Sequence, residues 1–186
     1  MVAFDDDVTA RRADDVLGLL EQNLKEEEGR LFHQWWNIDV LAFTSMGELA
    51  ALEAAMADMI IIAIHDGQEL PKTVAIWMKR FLDRRKDRPG ALMAMLDSDP
   101  NKLDITQGVL PQLKQAAALG RMSFFATRVG SGGDKMGMGR AGGDDGMTRV
   151  ACEAATQFVM ASKSRARHKH PRAANVLAET CGAWTS

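Results

Sequence analysis

Short apolar runs alternate with amphipathic stretches along the first two thirds of the chain. The clearest run lies between Asp58 and His65, where the apolar residues are not interleaved with polar ones. An unbroken run of this kind predicts a strand covered on both faces, as in a parallel sheet packed under helices. Four further segments predict strands from their apolar, aromatic or β-branched content: Met1 to Phe4, Leu31 to Leu41, Ala91 to Leu96 and Met122 to Thr127.

Four amphipathic helices are predicted between these strands. Their expected starts are marked by a capping residue, a proline or a glycine, namely Thr9, Ser45, Pro71 and Gly108. Glu48 follows Ser45 by three residues, which predicts a capping box at the second helix. One side of that helix is apolar and is expected to face the core, through Leu49, Leu52, Ala55 and Met56.

Strict alternation of strand and helix predicts parallel strands joined by right-handed crossovers. The expected fold class is therefore α/β, with a doubly wound, parallel, five-stranded sheet in strand order 2-1-3-4-5, a flavodoxin-like three-layer sandwich. This domain is expected to span residues 1–128. A glycine-rich linker is expected at 129–147, and a helical, basic and partly disordered tail at 148–186.

Composition narrows the class of protein further. The chain has 186 residues, 46% of them hydrophobic, and a formal net charge of −2, so no nucleic-acid partner is expected. No apolar run is long enough to span a membrane, and no membrane partner is expected. The two cysteines, Cys152 and Cys181, form neither a CxxC pair nor a disulfide framework. These features predict a cytoplasmic protein with reduced thiols.

The predicted topology gathers polar residues at the carboxyl ends of the strands, which is where open α/β sheets bind ligands. The first strand is followed by Asp5, Asp6 and Asp7, the third ends at His65 and Asp66, the fourth enters Asp97, Ser98 and Asp99, and the fifth ends at Thr127 and Arg128. Oxygen-rich clusters of this kind attract Mg²⁺, for which Asp5, Asp6, Asp7, Asp97 and Asp99 are the candidate ligands. The alternative is that these residues are solvated turn formers at strand ends.

The segment Val2 to Arg12, an apolar strand ending in acids before a helix, resembles the opening of bacterial response-regulator receiver domains, and Asp58 to Ile64 resembles their third strand. That resemblance implies a phosphoacceptor aspartate where this chain has Ala63, a hydroxyl that Ser98 matches, and a lysine where Arg128 stands. Without a carboxylate at position 63, the resemblance implies no catalytic residue. It implies a receiver-like, non-catalytic signalling or protein-interaction module that acts through a protein partner or as a homodimer.

Two alternatives remain open. Asp5-x-Asp7-x-Thr9 resembles the first motif of haloacid dehalogenase-like phosphohydrolases, which implies Asp5 as nucleophile, Asp7 as general acid/base and Asp97 or Asp99 on Mg²⁺. The other alternative is a flavodoxin-like protein that binds FMN or a nucleotide. Flavodoxin-like proteins receive the FMN phosphate on a Ser/Thr/Gly-rich loop after the first strand. Three aspartates occupy that loop here and would repel a phosphate, so FMN is not expected.

Overall fold

A computed structural model describes residues 1–24, 31–65, 69–85, 88–98, 108–130, 151–158 and 160–161. The strands are β1 (Val2–Phe4), β2 (Trp35–Asn37), β3 (Met59–His65), β4 (Gly90–Ser98) and β5 (Met122–Gly130). The helices are α1 (Asp7–Asn23), α2 (Thr44–Met56), α3 (Lys72–Arg85), α4 (Val109–Leu119) and α5 (151–158 and 160–161). A 3₁₀ helix, Ile38–Ala42, connects β2 to α2.

All five strands are parallel and lie in the order β2-β1-β3-β4-β5, which confirms the predicted fold class. β3 is central and its residues from Ile60 to Ile64 are buried, as its unbroken apolar sequence predicts. In register, Phe4 of β1 lies beside Asn37 of β2 and Ala63 of β3. The reversal of strand order between β1 and β3 creates the switch point at which such sheets bind ligands.

Helices cover the sheet on both faces. One core cluster contains side chains from α2, α3 and α4, including Trp77 and Phe81, whose ring centroids lie 4.9 Å apart. The opposite cluster contains side chains from α1 together with Cys152 and Ala155 of α5. Trp35 packs against this second cluster and Trp36 against the first, as expected for neighbours in a strand.

Two predicted boundaries are wrong. The N-cap of α1 is Asp6, not Thr9, because the Asp6 carboxylate accepts the first free backbone N–H groups while Thr9 occupies the third helical position. β2 ends at Asn37 instead of continuing to Leu41. The Asn37 side chain accepts a hydrogen bond from the Asp39 backbone at 2.8 Å, which turns the chain into the 3₁₀ helix.

α2 packs with its small residues inward, which reverses the prediction. Its N-cap is Phe43 and no side chain caps it, so the predicted Ser45–Glu48 capping box does not form. The buried residues of the helix are Gly47, Ala50, Ala51, Ala54 and Ala55, whereas Leu49, Leu52 and Met56 are exposed. A Cβ on Gly47 would lie 2.6 Å from the Leu41 carbonyl oxygen and 2.8 Å from Arg80 Nη1. The close packing of α2 therefore leaves no room for large side chains on its inner face.

One buried arginine lies where α2 and α3 end and β4 begins. Arg85, the last residue of α3, is 3% exposed. Its guanidinium donates to the carbonyl oxygens of Ala54 at 3.1 Å and Ala57 at 2.9 Å, at the C-terminal end of α2. It also donates to the carbonyl oxygens of Arg88 at 3.2 Å and Pro89 at 3.0 Å, just before β4. Arg85 therefore connects the ends of two helices and the start of a strand.

The proposed division of the chain is only partly within the described residues. β5 continues to Gly130, two residues beyond the predicted end of the domain. Most of the predicted linker and tail, residues 131–150 and 162–186, lies outside the described residues, so the division stays a prediction. Within the described ranges, none of the helices combines the length and the apolar character that crossing a membrane requires.

Candidate functional site

The site at the switch point is built on the short connection between β1 and α1. The Asp5 backbone N–H donates to the Ala63 carbonyl oxygen at 3.1 Å, which continues the pairing of β1 with β3 by one residue. The Asn37 side-chain amide donates to the Asp5 carbonyl oxygen at 3.3 Å from the other side. Anchored on both sides, the chain turns at Asp6 and enters α1 beside the end of β3.

The two oxygens of Asp6 have different partners. Oδ1 accepts from the backbone N–H groups of Val8 at 3.0 Å and Thr9 at 2.9 Å. Oδ2 lies 3.0 Å from His65 Nε2, at the carboxyl end of β3. The buried Thr9 hydroxyl in turn accepts from the backbone N–H groups of Asp5 at 3.1 Å and Asp6 at 2.9 Å. This reciprocal capping box fixes the first turn of α1 against the sheet.

These contacts favour the ionised form of Asp6. The Thr9 backbone hydrogen bond, followed by the hydrogen bond with His65, lowers the pKa of Asp6 from 3.8 to about 2. The Asp6 and His65 side chains are each 47% exposed, so this pair lies in the mouth of the crevice and not in the core. A helix N-terminus with free N–H groups is an anion site, and in this structure the anion it holds is the chain's own carboxylate.

The predicted carboxylate cluster is only partly assembled by the described residues. Asp6 and His65 are in contact, and register places the backbone of Asp97 beside that of His65. Asp5 is half-buried and Asp7 is exposed. Asp66 and Asp99 lie outside the described residues, as do the side chains of Asp97, Ser98 and Arg128. Within the described part of the chain, no group of three or more His, Cys, Asp or Glu side chains is placed to hold a metal ion.

The residues that β5 places at the carboxyl end of the sheet are not those that its sequence predicts. Thr127 is 1% exposed and lies beside Met95, and Arg128 lies beside Leu96. The strand continues for two more residues, so the positions level with Asp97 and Ser98 are Val129 and Gly130. Thr127 is therefore placed inside the sheet and not at the predicted edge of the site. Ala63, the position compared with a phosphoacceptor, is likewise buried, beside Phe4 and Met95.

Sequence reasoning missed Asn37 and the role of Asp6 as a cap. The predicted strand from Leu31 to Leu41 contains Asn37, although an asparagine two residues before an aspartate is a common turn former. The Asp6-x-x-Thr9 spacing was a usable signal, because an acceptor at the N-cap and a hydroxyl at the third position can cap each other. Their contacts explain why the β1–α1 turn has one fixed geometry.

A separate cavity of 340 Å³ lies at the opposite, amino-terminal edge of the sheet. Its wall is formed by the last turns of α1 and α2, by the segment before β2 and by the start of β3, with Thr156 of α5. Most of its lining is aliphatic or aromatic, including Leu20, Phe32 and Met59. Neither Asp6 nor His65 contributes to it, so it is distinct from the switch-point site.

Comparison with solved structures identifies the fold. An oxidoreductase from Corynebacterium diphtheriae is 12% identical, with a TM-score of 0.57, and the match covers 88% of this chain and 96% of that one. The strand order β2-β1-β3-β4-β5 is that of flavodoxin, so the fold is flavodoxin-like. The match is at the level of fold, because the identity is too low to transfer an activity. No family model matches the chain, and no curated protein matches it.

Two weaker structural matches have TM-scores below 0.5. The two-electron reduced flavodoxin of Megasphaera elsdenii is 12% identical, with a TM-score of 0.48 and coverage of 84% of this chain and 99% of that one. RosB with bound 8-demethyl-8-formylriboflavin-5'-phosphate is 12% identical, with a TM-score of 0.49 and coverage of 100% and 93%. The receiver-domain resemblance finds no support in any of these comparisons.

The expectation that FMN does not bind is corrected by these findings. The 2-1-3-4-5 strand order is that of flavodoxin, which binds FMN at the β1/β3 switch point, and a solved oxidoreductase has a similar fold, so FMN belongs among the ligands to test. In the sequence, the three aspartates predict a uniform repulsive charge after β1. In the structure, Asp6 is held by two backbone N–H groups and His65, and its charge is compensated locally. The donor set around it fits an anionic group such as a phosphate monoester.

Proposed function

We propose that this protein binds FMN in the crevice between the carboxyl ends of β1 and β3. The observation that carries the proposal is the anion-holding donor set at the switch point: the N–H groups of Val8 and Thr9 with His65 beside them. In the 2-1-3-4-5 arrangement this is the position at which a flavin phosphate is received. Bound FMN would supply electron or hydride transfer, while these residues hold and orient its phosphate end.

The Asp6 carboxylate is then an internal competitor for the phosphate. Both groups need the same two N–H donors, so the phosphate enters only when the Asp6 side chain turns away from α1. This competition predicts weak binding by the native chain, since each ligand molecule must displace a contact that stabilises the helix. It also predicts that removing the carboxylate strengthens binding of phosphorylated flavin specifically.

The test compares FMN with riboflavin, which lacks the phosphate, by quenching of flavin fluorescence. For Asp6→Ser, in which a neutral hydroxyl replaces the carboxylate and competes less strongly for the donors while still capping the helix, we expect FMN to bind on the order of tenfold more tightly than to the native chain. Riboflavin affinity should not change. Asp39→Ser, at an exposed acid at the start of the 3₁₀ helix, is the matched control and should leave both affinities unchanged.

Two results would contradict the proposal. One is the absence of FMN binding to both the native chain and Asp6→Ser at about 1 mM flavin, a concentration that detects even weak complexes. The other is equal strengthening of FMN and riboflavin by Asp6→Ser, which would show that the phosphate does not meet these donors.

A second candidate, a non-catalytic interaction module, is favoured by the exposed apolar face of α2. The magnesium-dependent phosphohydrolase hypothesis, with Asp5 and Asp7 as reacting groups, finds no supporting observation among the described residues. The interaction module and the FMN site use different surfaces, so they can be tested independently.

A further inference from the structure

α2 presents two apolar faces, and the structure covers one of them. Its inner face consists of glycine and alanine, packed closely on the sheet and α3. Its outer face carries Met46, Leu49, Leu52 and Met56, which are 44%, 47%, 50% and 63% exposed. We call these four residues the α2 stripe. A helix that is apolar all round is normally buried on all sides, so the α2 stripe is the kind of surface that a partner covers.

The size of the α2 stripe fits an interface. Its four partly exposed side chains leave on the order of 400 Å² of apolar surface in solvent, within the range of the largest patches on monomeric proteins, which are often functional. A stable interface buries roughly 800 Å² on each partner, and about half to two thirds of that area is apolar. The α2 stripe therefore supplies the centre of such an interface, and neighbouring polar residues would supply the rim.

Charge around the α2 stripe favours an uncharged partner surface. α2 carries two charged residues, Glu48 and Glu53, and both have partners within the chain. Glu48 pairs with Arg80 at 3.2 Å and also with Arg84 of α3. Glu53 accepts a hydrogen bond from Trp36 Nε1 at 2.8 Å. A charged peptide would find no counter-charge on the stripe itself, whereas an equally apolar surface matches it.

The order of residues in the α2 stripe points to a second copy of this chain. In sequence order the stripe is methionine, leucine, leucine, methionine, which is the same in either direction. When two such helices pack antiparallel about a two-fold axis, Met46 faces Met56 of the other copy and Leu49 faces Leu52. Such self-complementarity is the requirement of a two-fold interface, in which each residue and its contact appear twice. The flexible methionines fill the outer positions.

We infer that the protein forms a homodimer through antiparallel packing of the α2 stripes of two copies. The α2 stripe shares no residue with the Asp6–His65 site, so we expect dimerisation not to depend on flavin binding. Helices packed in this way approach to 8–10 Å between axes, which the two leucines at the centre allow.

Sedimentation velocity of the flavin-free full chain over about 1–100 μM tests this inference. We expect a dimer that dissociates on dilution, and we expect Leu49→Lys to be monomeric throughout, since each dimer would bury two lysines. Leu119→Lys is the matched control: Leu119 on α4 is 73% exposed and outside the stripe, so this variant should remain dimeric. Circular dichroism confirms folding, and Leu49→Ala, expected to weaken the dimer by about tenfold or more, is the milder second variant.

Cysteine cross-linking in a Cys181→Ser background tests the antiparallel arrangement, with Cys152 buried. A mixture of Leu49→Cys and Leu52→Cys chains should form a disulfide-linked heterodimer, whereas Met46→Cys chains should not link to each other. Linking of Met46→Cys with itself would overturn the antiparallel arrangement.

A native chain that is monomeric at every concentration would overturn the dimer, as would a Leu49→Lys variant that still dimerises. A chain that dimerises only after removal of residues 162–186 would also contradict it, because its own tail would then cover the face.

Discussion

At the scale of single residues, Asp6 joins the stability of the fold to the chemistry of the crevice. Its carboxylate caps α1 and contacts His65, and these contacts lower its pKa to about 2. A carboxyl group whose pKa is lower in the folded state stabilises the fold when ionised. Its contribution is complete above the unfolded pKa of about 4 and is lost as the pH falls through 2.

We therefore expect Asp6→Ala to lower the free energy of unfolding by about 1 kcal/mol at pH 7, the usual cost of losing an N-cap. The difference from the native chain should shrink between pH 4 and pH 2 and disappear below it. Denaturant unfolding followed by circular dichroism across this range measures the effect. His65→Gln should keep most of the pH dependence, because the hydrogen bond from the Thr9 backbone is the largest single cause of the lowered pKa of Asp6. A difference that stays constant with pH would show that the charge of Asp6 is not involved.

At the scale of elements, Arg85 holds the end of α2, the end of α3 and the start of β4 together through four backbone carbonyl groups. We expect Arg85→Ala to destabilise the protein by about 3 kcal/mol or more, because it leaves buried acceptors without donors. Arg85→Lys should recover only part of this loss, since an ammonium cannot reproduce the planar fork.

Arg84→Ala is the control for Arg85. Arg84 is exposed and pairs with Glu48, so its removal should cost less than about 1 kcal/mol. Gly90→Ala should resemble Arg85→Ala, because a Cβ at this position would lie 1.6 Å from Arg85 Nη2 and would displace the guanidinium. Chemical denaturation at neutral pH compares all four variants. Equal decreases in the free energy of unfolding for Arg84→Ala and Arg85→Ala would contradict the role assigned to the buried Arg85 guanidinium.

The elements also show where sequence reasoning succeeds and where it fails. The buried run of β3 predicted a central strand correctly, because an unbroken apolar sequence needs cover on both faces. The sequence could not predict which face of α2 is buried, because apolar residues are distributed around the whole helix. The small residues face inward because the backbone of α2 at Gly47 lies very close to Leu41 and Arg80. The sequence identifies the aspartate-rich turn as a site but does not show how its charge is compensated, because the contact of Asp6 with His65 joins residues 59 positions apart.

At the scale of the whole molecule, the two sides of the sheet are covered unequally. Three helices cover one face, whereas α1 and α5 together cover the other. Cys152 and Ala155 of α5 are buried in the second cluster, and the ring of Phe158 packs against that of Phe125 with centroids 6.5 Å apart. α5 therefore packs against the second cluster, although it follows the predicted boundary at residue 128 by more than twenty positions.

This arrangement predicts different effects for two truncations. A chain ending at residue 130 loses α5 and exposes the apolar side chains of the second cluster, so its melting temperature should fall by about 5–10 °C, corresponding to a few kcal/mol. A chain ending at residue 161 keeps α5 and should melt within about 2 °C of the full chain. Differential scanning calorimetry measures both, and binding of a dye for exposed apolar surface should increase for the shorter chain alone. Equal melting temperatures for the two truncations would show that α5 contributes nothing to the core. A large decrease in the melting temperature of the chain that ends at residue 161 would show that the folded domain extends beyond that residue.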